Sequence, residues 1–229
     1  MLKRILIILI GLIPSLGVAQ KYRNPVIDNG VIYGMSIKAP DLTGSVYLND
    51  DWRDAVLYLK KGAFSADTIS NVSVKLDLKT NTFEIFTDKN IKILPGAKVA
   101  HFTWLDPSKG NSESYNNCDE FSFEGSKLNG FCKVLSDNGN VFLVEHQYIE
   151  LIEADYNVQL SVGNKDDRIV KRERLYLISD NRMMRYEKKT LYSLMGEKSD
   201  QIKKYIRENG LNISKRDDLK QVVDYYNSI

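Results

Sequence analysis

Two histidines are the groups in this sequence best suited to proton transfer, because the imidazole side chain titrates near neutral pH. His101 lies in VAHFTW and His146 lies in VEHQYI. A general base of this kind needs a carboxylate that orients it, and Asp106 and Glu145 are the acidic residues at hand. Both histidines occur inside strand-like segments, where a histidine is usually structural. Catalysis by either one is therefore a hypothesis, and no catalytic residue is predicted.

The two cysteines of the chain, Cys118 and Cys132, carry the second kind of chemistry. In an exported protein they can form a disulfide, and closing a loop of about 15 residues is worth roughly 3 kcal/mol in the chain-entropy model. Free buried thiols and a zinc site are the alternatives. Zinc needs four ligands at short spacing, and only the two distant histidines could join the thiols. The sequence therefore predicts a disulfide, and neither a metal nor a cofactor.

A run dense in Lys and Arg could bind an anion. Within DYNVQLSVGNKDDRIVKRERLYLI, residues 155–178, the cluster Lys171, Arg172 and Arg174 would attract an anionic envelope component or an acidic partner. Neighbouring carboxylates dilute that field, and cross-strand pairing within the sheet explains the cluster equally well. Both interpretations stay open.

The two tryptophans are candidates for a binding platform. Trp52, in YLNDDW, and Trp104, in FTWLDP, both border turns. An indole in that position either stacks on a sugar or seals the edge of a hydrophobic core. We include both residues among the candidate binding residues and keep the two interpretations.

Strands with a two-residue period are the elements that must position these side chains. In NVSVKLDLKTNTFEIFT, polar residues alternate with Val72, Val74, Leu76 and Leu78. This pattern fits a sheet that is packed on one face and wet on the other. Residues 79–82 are then a turn, and residues 83–86 return as the partner strand of a hairpin.

Further strands continue this pattern along the chain. They are predicted at residues 55–62, 91–94, 98–105, 121–123, 130–135, 141–152, 156–162 and 169–178. The polar residues 106–118 predict a loop, and Asn138-Gly139 predicts a two-residue hairpin turn. The fold class is therefore mainly β, an antiparallel β-meander in the form of a sandwich or a partly closed barrel.

After Asp180 the apolar spacing becomes helical, as in Leu219, Val222, Val223 and Tyr226. Ser214 and Asp217 have the spacing of a capping box, and Asn209-Gly210 resembles a helix stop. The helical unit, residues 188–229, is too small to hold a core alone. We expect it to pack on the β domain of residues 20–187.

The amino terminus has the three parts of a secretory signal peptide. Lys3 and Arg4 precede an apolar run over residues 5–13, and small residues lead to a cleavage site after Ala19. The apolar run is shorter than the roughly 20 residues that span a bilayer. A retained anchor is the alternative. Residues 1–19 are thus predicted to be removed, leaving an exported protein, periplasmic or at the cell surface, without a transmembrane segment.

The charge of the chain argues against nucleic-acid binding. The formal net charge is +2, and it falls to zero when Lys3 and Arg4 leave with the signal peptide. Residues 20–164 then carry 14 basic and 19 acidic residues, while residues 165–229 carry 16 and 11. A neutral chain lacks the basic surface that a nucleic acid requires, so none is expected as a partner.

Three segments, GSVYLNDDW, the run of residues 155–178 and IKKYIRENGLNISKRDDLKQVVDYYNSI, resemble an uncharacterised family of small exported proteins of Gram-negative bacteria. The resemblance extends from about Gly44 to the end of the chain. It implies a periplasmic or cell-surface location. It implies no catalytic residue, ligand or partner.

Three functions fit these observations. The first is a non-enzymatic envelope protein that presents an interaction surface to another envelope protein or to a polymer. The second is a carrier that holds a lipid or another apolar ligand inside a curved sheet. The third is a hydrolase of envelope polymers that uses one of the histidines. No nucleophile elbow, phosphate loop or zinc-protease helix occurs in the sequence, so the first function is the main prediction.

Overall fold

The computed structural model describes residues 42–63, 66–88, 90–106, 111–157 and 159–229. Its strands form one large, mostly antiparallel open sheet, and three α-helices follow. The predicted mainly β fold with a C-terminal helical unit is confirmed. The predicted signal peptide lies outside the described residues. Among those that are described, no helix combines the length and apolar character needed to cross a bilayer.

The strands, in chain order, are β1 Leu42–Thr43, β2 Arg53–Leu59, β3 Thr68–Asp77, β4 Thr82–Phe86, β5 Ile91–Pro95, β6 Val99–Asp106, β7 Asn111–Asn117, β8 Ser122–Phe123, β9 Phe131–Ser136, β10 Phe142–Ile152, β11 Asp167–Ser179 and β12 Arg182–Arg185. The helices are α1 Lys188–Met195, α2 Ser199–Glu208 and α3 Arg216–Ser228. The strand order is β5-β4-β3-β2-β6-β7-β9-β10-β11-β12-β8, and β1 pairs with β11. Among the strand pairs of the described residues, β1/β11 and β12/β8 are parallel and the others are antiparallel.

The half of the sheet from β5 to β9 rolls around an aromatic core. Phe83 on β4 and Phe131 on β9 have ring centroids 5.2 Å apart. Five strand-to-strand steps separate them in the sheet, which would place them about 24 Å apart if the sheet were flat. Phe102 on β6 contacts both rings edge-on and stacks on Tyr115 at 4.6 Å. The inner surface of this half, which we call the rolled half, is thus filled by its own side chains.

The buried side chain of Asn117 on β7 forms hydrogen bonds that stabilise the rolled half. Its amide nitrogen donates to the carbonyl oxygens of Gly96, at 3.1 Å, and Val99, at 2.8 Å. The side chain is almost fully buried, so these bonds replace the water that it loses. The turn between β5 and β6 is held against β7 in this way.

Helices cover the other half of the sheet. Leu143 on β10 and Leu177 on β11 are fully buried beneath Leu191 of α1, Ile202 of α2 and Val223 of α3. The sequence predicted the apolar stripes of these helices, and those stripes face the sheet. None of the three helices contributes to the core of the rolled half.

The predicted disulfide is confirmed. Cys118 and Cys132 are joined by a bond of 2.11 Å, and both are fully buried. Cys118 follows β7, and Cys132 lies on β9 opposite Asn116 of β7 and His146 of β10. The bond lies in a small cluster with Val144, on the face of the sheet opposite the helices.

Two local predictions of strand and loop were wrong. Residues 111–117 form β7 rather than a loop, because Tyr115 and Asn117 face inward while the backbone pairs with β6 and β9. The segment 156–162 is not a strand, since Leu160 and Val162 are exposed and β11 pairs with β10 instead.

The predicted hairpin at Asn138-Gly139 connects β9 to the antiparallel β10, but its turn is not of the predicted two-residue type. Asn138 and Gly139 do not adopt the positive φ of a tight turn. Gly139 is needed for close packing instead, since a Cβ there would lie 2.6 Å from Asn227 of α3. Asp180 and Asn181, with φ of 50° and 61°, form the two-residue turn between β11 and β12.

The helix signals were half right. Gly210 has φ of 62° just after α2, as the predicted stop requires. The capping box at α3 is absent, because the N-cap is Lys215, which makes no side-chain cap hydrogen bond. Asp218 instead accepts from the backbone N–H of Asn212 at 2.8 Å, which holds the loop before α3.

Removing the disulfide should destabilise the protein measurably. For the double variant Cys118→Ser and Cys132→Ser, we expect the free energy of unfolding in denaturant to fall by about 3 kcal/mol, because the unfolded chain regains the entropy of a closed loop. A reducing agent should lower the stability of the wild type to that of the variant and leave the variant unchanged. Equal stability of the oxidised wild type and the variant would contradict this expectation.

Candidate functional site

The basic cluster does not form one surface. Successive residues of β11 point to opposite faces, so Lys171 lies on the helix-covered side while Arg172 and Arg174 lie on the other. Lys171 Nζ is 3.7 Å from Asp50 Oδ2, in the loop that precedes β2.

Both arginines of the cluster have partners on β10. Arg172 Nε donates to Glu150 Oε2 at 2.8 Å. Arg174 stacks over the ring of Tyr148, 5.3 Å from its centroid, and donates to the Tyr148 hydroxyl at 3.1 Å. The sequence predicts such cross-strand pairing as the alternative to anion binding. Because Arg172 and Arg174 already have partners on β10, less of their positive charge is available to an external anion.

Trp104 lies in the core of the rolled half and is 2% exposed. The Arg53 guanidinium lies 4.6 Å above the indole and also donates to Glu113 at 2.9 Å. Burial without solvent contact leaves the indole no face to offer a sugar. We therefore remove Trp104 from the candidate binding residues.

Trp52 lies on the outer face of the same sheet. Its ring contacts Phe86 at 5.6 Å between centroids, and Lys75 Nζ lies 5.3 Å above it. The same ammonium group is 5.1 Å from the ring of Tyr47. A cation between two aromatic rings fixes this corner of the surface.

An exposed apolar row continues from Trp52 to the edge of the sheet. We call it the edge face; its members and their exposed fractions are Trp52 37%, Phe86 54%, Ile91 52% and Ile93 60%. Phe86 lies directly opposite Ile91 in the pairing of β4 with β5, and Ile93 lies opposite Glu84. The edge face is thus one continuous surface on neighbouring strands.

The edge face exists because β4 and β5 are apolar on both sides. Phe83, Ile85 and Leu94 point inward and are buried, while Phe86 and the two isoleucines of β5 point outward. The helices that could cover the outward set pack on β9 to β11 instead. The sequence contains this signal in FEIF and IKIL, where apolar residues occur at both odd and even positions and therefore on both faces of the sheet. From the sequence, we used only the residues that face the core.

Two polar side chains border the edge face. Glu84 accepts a hydrogen bond from the Tyr47 hydroxyl at 2.8 Å. That hydrogen bond to a carboxylate, more than any other cause, raises the pKa of Tyr47, so the phenol stays a donor. Lys75 lies opposite Glu84 in the β3/β4 pair. The border therefore carries both signs of charge beside an apolar centre, as protein interfaces do.

His146 is a structural residue of the β10 strand. It is 7% exposed, and its Nε2 lies 3.1 Å from the carbonyl oxygen of Asn129. Because that oxygen only accepts, Nε2 must carry the proton. Burial lowers the pKa of His146, the nearby Arg174 lowers it further, and the Asn129 bond opposes both. Glu145 points to the other face, so it cannot orient the ring.

His101 stacks on Tyr58 across the β2/β6 pair, with ring centroids 4.1 Å apart. Partial desolvation lowers its pKa, against the raising effect of Glu120. Within the described side chains, neither histidine hydrogen-bonds to a carboxylate. No group of three or more metal-ligating residues occurs among them either.

A charged groove lies where α3 meets the sheet. Glu145, 3% exposed, accepts from Arg216 Nη1 at 3.2 Å. Glu173 lies beside it, and the negative charge of Glu145 is the main cause that raises the pKa of Glu173. The groove has a volume of about 410 Å³ and is also lined by Leu175 and Asp217. The Glu145–Arg216 pair spans 71 residues of sequence, too far for any local pattern to predict it.

The fold and the edge face together define a mainly β protein with one open sheet, a C-terminal helical cover and an exposed apolar edge. Comparison of the chain with protein-family models, with curated proteins and with solved structures finds no significant match.

Acidification should weaken the fold through His146. Its pKa is lower in the folded state than the ordinary 6.5, so its contribution to stability is complete above pH 6.5 and is lost as the pH falls toward the folded value. The variant His146→Gln keeps a donor for Asn129 but does not titrate. We expect the variant to have a lower free energy of unfolding than the wild type at pH 7. This difference, measured by denaturant unfolding, should become smaller as the pH falls to 5, because only the wild type loses stability on protonation. The pKa of the more exposed His101 is lowered as well, so the stability deficit of His101→Gln should narrow in the same direction but by less. A constant His146→Gln deficit would contradict this assignment.

Neutralising Glu173 should stabilise the groove. Its pKa is raised from 4.5, so its charge opposes folding above that pH and has no such effect below it. Because Glu173 is exposed to solvent, we expect Glu173→Gln to raise the free energy of unfolding at pH 7 by less than about 1 kcal/mol. Thermal unfolding should show that this gain disappears at pH 4 and below. Glu153→Gln, in an exposed loop, is the control; a loss of stability in Glu173→Gln would refute the repulsion.

Proposed function

We propose that this chain is an exported, non-enzymatic binding protein of the cell envelope, and that the edge face is where it contacts a partner protein. The observation that carries this proposal is the continuous exposed row of one tryptophan, one phenylalanine and two isoleucines. Export is supported by the signal-peptide pattern of the sequence and by the disulfide, a bond typical of oxidising compartments.

Exposed apolar side chains have a meaning when they are contiguous. Single ones are common on protein surfaces, whereas a continuous patch with polar neighbours marks an interaction site. Full burial of one such side chain is worth roughly 1.5 to 3 kcal/mol. The edge face therefore holds enough unburied apolar surface to drive association, and it lies beside β5, the last strand on this side of the described sheet.

A protein fits the edge face better than a polysaccharide does. Sugar binding relies on flat aromatic faces with nearby hydrogen-bonding groups, and Trp52 is the one strongly exposed indole in the described part of the chain. Ile91 and Ile93 are aliphatic and project more than half of their surface. Aliphatic and aromatic side chains side by side match the centre of a protein interface.

The other two hypotheses receive less support. A lipid carrier needs space inside the curved sheet, but Phe102 and Tyr115 stack there at 4.6 Å, and Phe83 and Phe131 close on Phe102 edge-on. A hydrolase needs an oriented base. His146 donates to a backbone carbonyl, and the adjacent Glu145 belongs to the other face.

Edge-face variants should lose the partner and keep the fold. We expect the double variant Ile91→Ser and Ile93→Ser to keep the thermal midpoint of the wild type to within a few degrees, because both side chains are exposed. In its native cells, recovery of the partner with the variant should fall at least tenfold, a loss of about 1.4 kcal/mol. Leu160→Ser, at an apolar residue that is 70% exposed in the loop before β11, is the matched control.

Site-specific crosslinking distinguishes direct contact from an indirect effect. A photoreactive phenylalanine analogue at position 86 should give a discrete adduct with the partner in intact cells. The same analogue at position 160 should give none. Equal adducts from both positions, or full recovery of the partner by the double serine variant, would refute the edge face as the site.

A further inference from the structure

The edge face ends at β5, the last strand on this side of the sheet that the structure describes. Among the described residues, no segment pairs with the outer backbone of β5. An edge strand presents unpaired N–H and C=O groups, and it pairs readily with another extended segment. Which groups β5 presents follows from its pairing with β4.

Hydrogen bonds at both ends of the β4/β5 hairpin fix that alternation. The backbone N–H of Thr87 donates to Asn90 at 2.9 Å, and that of Gly96 donates to Asn81 at 2.8 Å. Bonded pairs alternate with non-bonded pairs along an antiparallel ladder, so the bonded positions of β5 are 92 and 94. Positions 91 and 93 therefore turn their N–H and C=O groups outward.

The residues at the free edge set the chemistry of an incoming strand. Ile91 and Ile93 carry the outward backbone groups, and their side chains extend the apolar row. Lys92 points to the opposite face, is exposed, and forms no ion pair with any side chain that the structure describes. A strand that lies along this edge meets apolar side chains on one face and an ammonium group on the other.

A second copy of this chain fits the edge poorly. Pairing Ile91 with Ile93 of a second copy would place Lys92 against its own counterpart, and like charges directly opposite are destabilising. Shifting the register by two residues would place Ile91 against Pro95, which has no N–H to donate. The opposite shift would take Ile93 past the end of β5.

We propose that the partner protein contributes an extended segment that adds to β5 as a further strand. This inference rests on the proposed function and specifies its partner. Backbone bonds form to both N–H and both C=O groups of Ile91 and Ile93. The segment alternates apolar side chains, which extend the edge face, with a Glu or Asp that pairs with Lys92. Backbone pairing supplies affinity, and the alternation supplies specificity.

A synthetic peptide tests this geometry directly. The probe is a seven-residue peptide in which glutamate and valine alternate, with glutamate first and last so that the central residue is valine, and with blocked ends. It is added at about 1 mM to the isotopically labelled mature protein. We expect amide hydrogen exchange, followed by NMR, to slow at least tenfold at Ile91 and Ile93. The Lys92 amide already bonds to β4, so its exchange should stay unchanged and serves as the internal reference.

Charge reversal tests the role of Lys92. The variant Lys92→Glu should bind the glutamate peptide about tenfold more weakly and bind an alternating valine and lysine peptide more tightly. Lys127→Glu, in the exposed loop between β8 and β9, should leave both affinities unchanged. A peptide N-methylated at its central valine should not bind the wild type, because it cannot complete the ladder.

The outcomes separate this inference from the proposed function. If the serine variant of the edge face loses its partner in cells while no peptide slows exchange at Ile91 and Ile93, strand addition is wrong and the binding function stands. Protection of these amides before peptide is added would also overturn strand addition. Dependence of that protection on protein concentration would indicate a second copy, and independence would indicate another segment of the same chain.

Discussion

The packing of Phe102 against rings from three other strands is the contact on which the rest of this structure depends. Phe102 lies on β6 of the rolled half, stacks on Tyr115 and contacts Phe83 and Phe131 edge-on. These rings come from β4, β6, β7 and β9, so the sheet must curve for them to meet. Side chains of one sheet thereby bury one another, and no second layer is required for this half.

That curvature decides where the helices are needed. Beyond β9 the inner surface has too few partners of its own, and α1, α2 and α3 cover it through Leu191, Ile202 and Val223. The helices lie on the inner side of the sheet. The outer side of β4 and β5 stays open to solvent, with Phe86, Ile91 and Ile93 exposed beside the polar Thr82 and Glu84. The edge face therefore stays uncovered because the three helices pack on the sheet beyond β9 and not on β4 and β5.

Periodicity predicted much of the fold and little of the site. The alternation around Val74 and Leu76 predicted both their burial and the β3/β4 hairpin, because local pattern and tertiary packing agree there. It missed β7, whose polar side chains give no alternation and whose position is set by pairing with β6 and β9. Periodicity also predicted a strand at 156–162, but no layer covers the apolar residues Leu160 and Val162 there, and both are exposed.

The candidate site shows the same division. Trp52 was predicted from its position beside a turn, and it lies in the edge face. Lys171, Arg172 and Arg174 were predicted as one cluster, but alternation along β11 divides them between two faces. Phe86, Ile91 and Ile93 escaped prediction since apolar residues are assigned to the core by default. Only the distribution of the helices shows which apolar face remains uncovered.

The disulfide has a mechanical consequence. It joins the segment after β7 to β9, at the boundary between the rolled half and the helix-covered half. A partner that pulls on β5 would transmit tension through β4, β3, β2 and β6 to β7 by hydrogen bonds alone. Between β7 and β9, the force meets a covalent link. Strain applied at the free edge would then peel away the strands from β5 to β6 before it could separate β7 from β9.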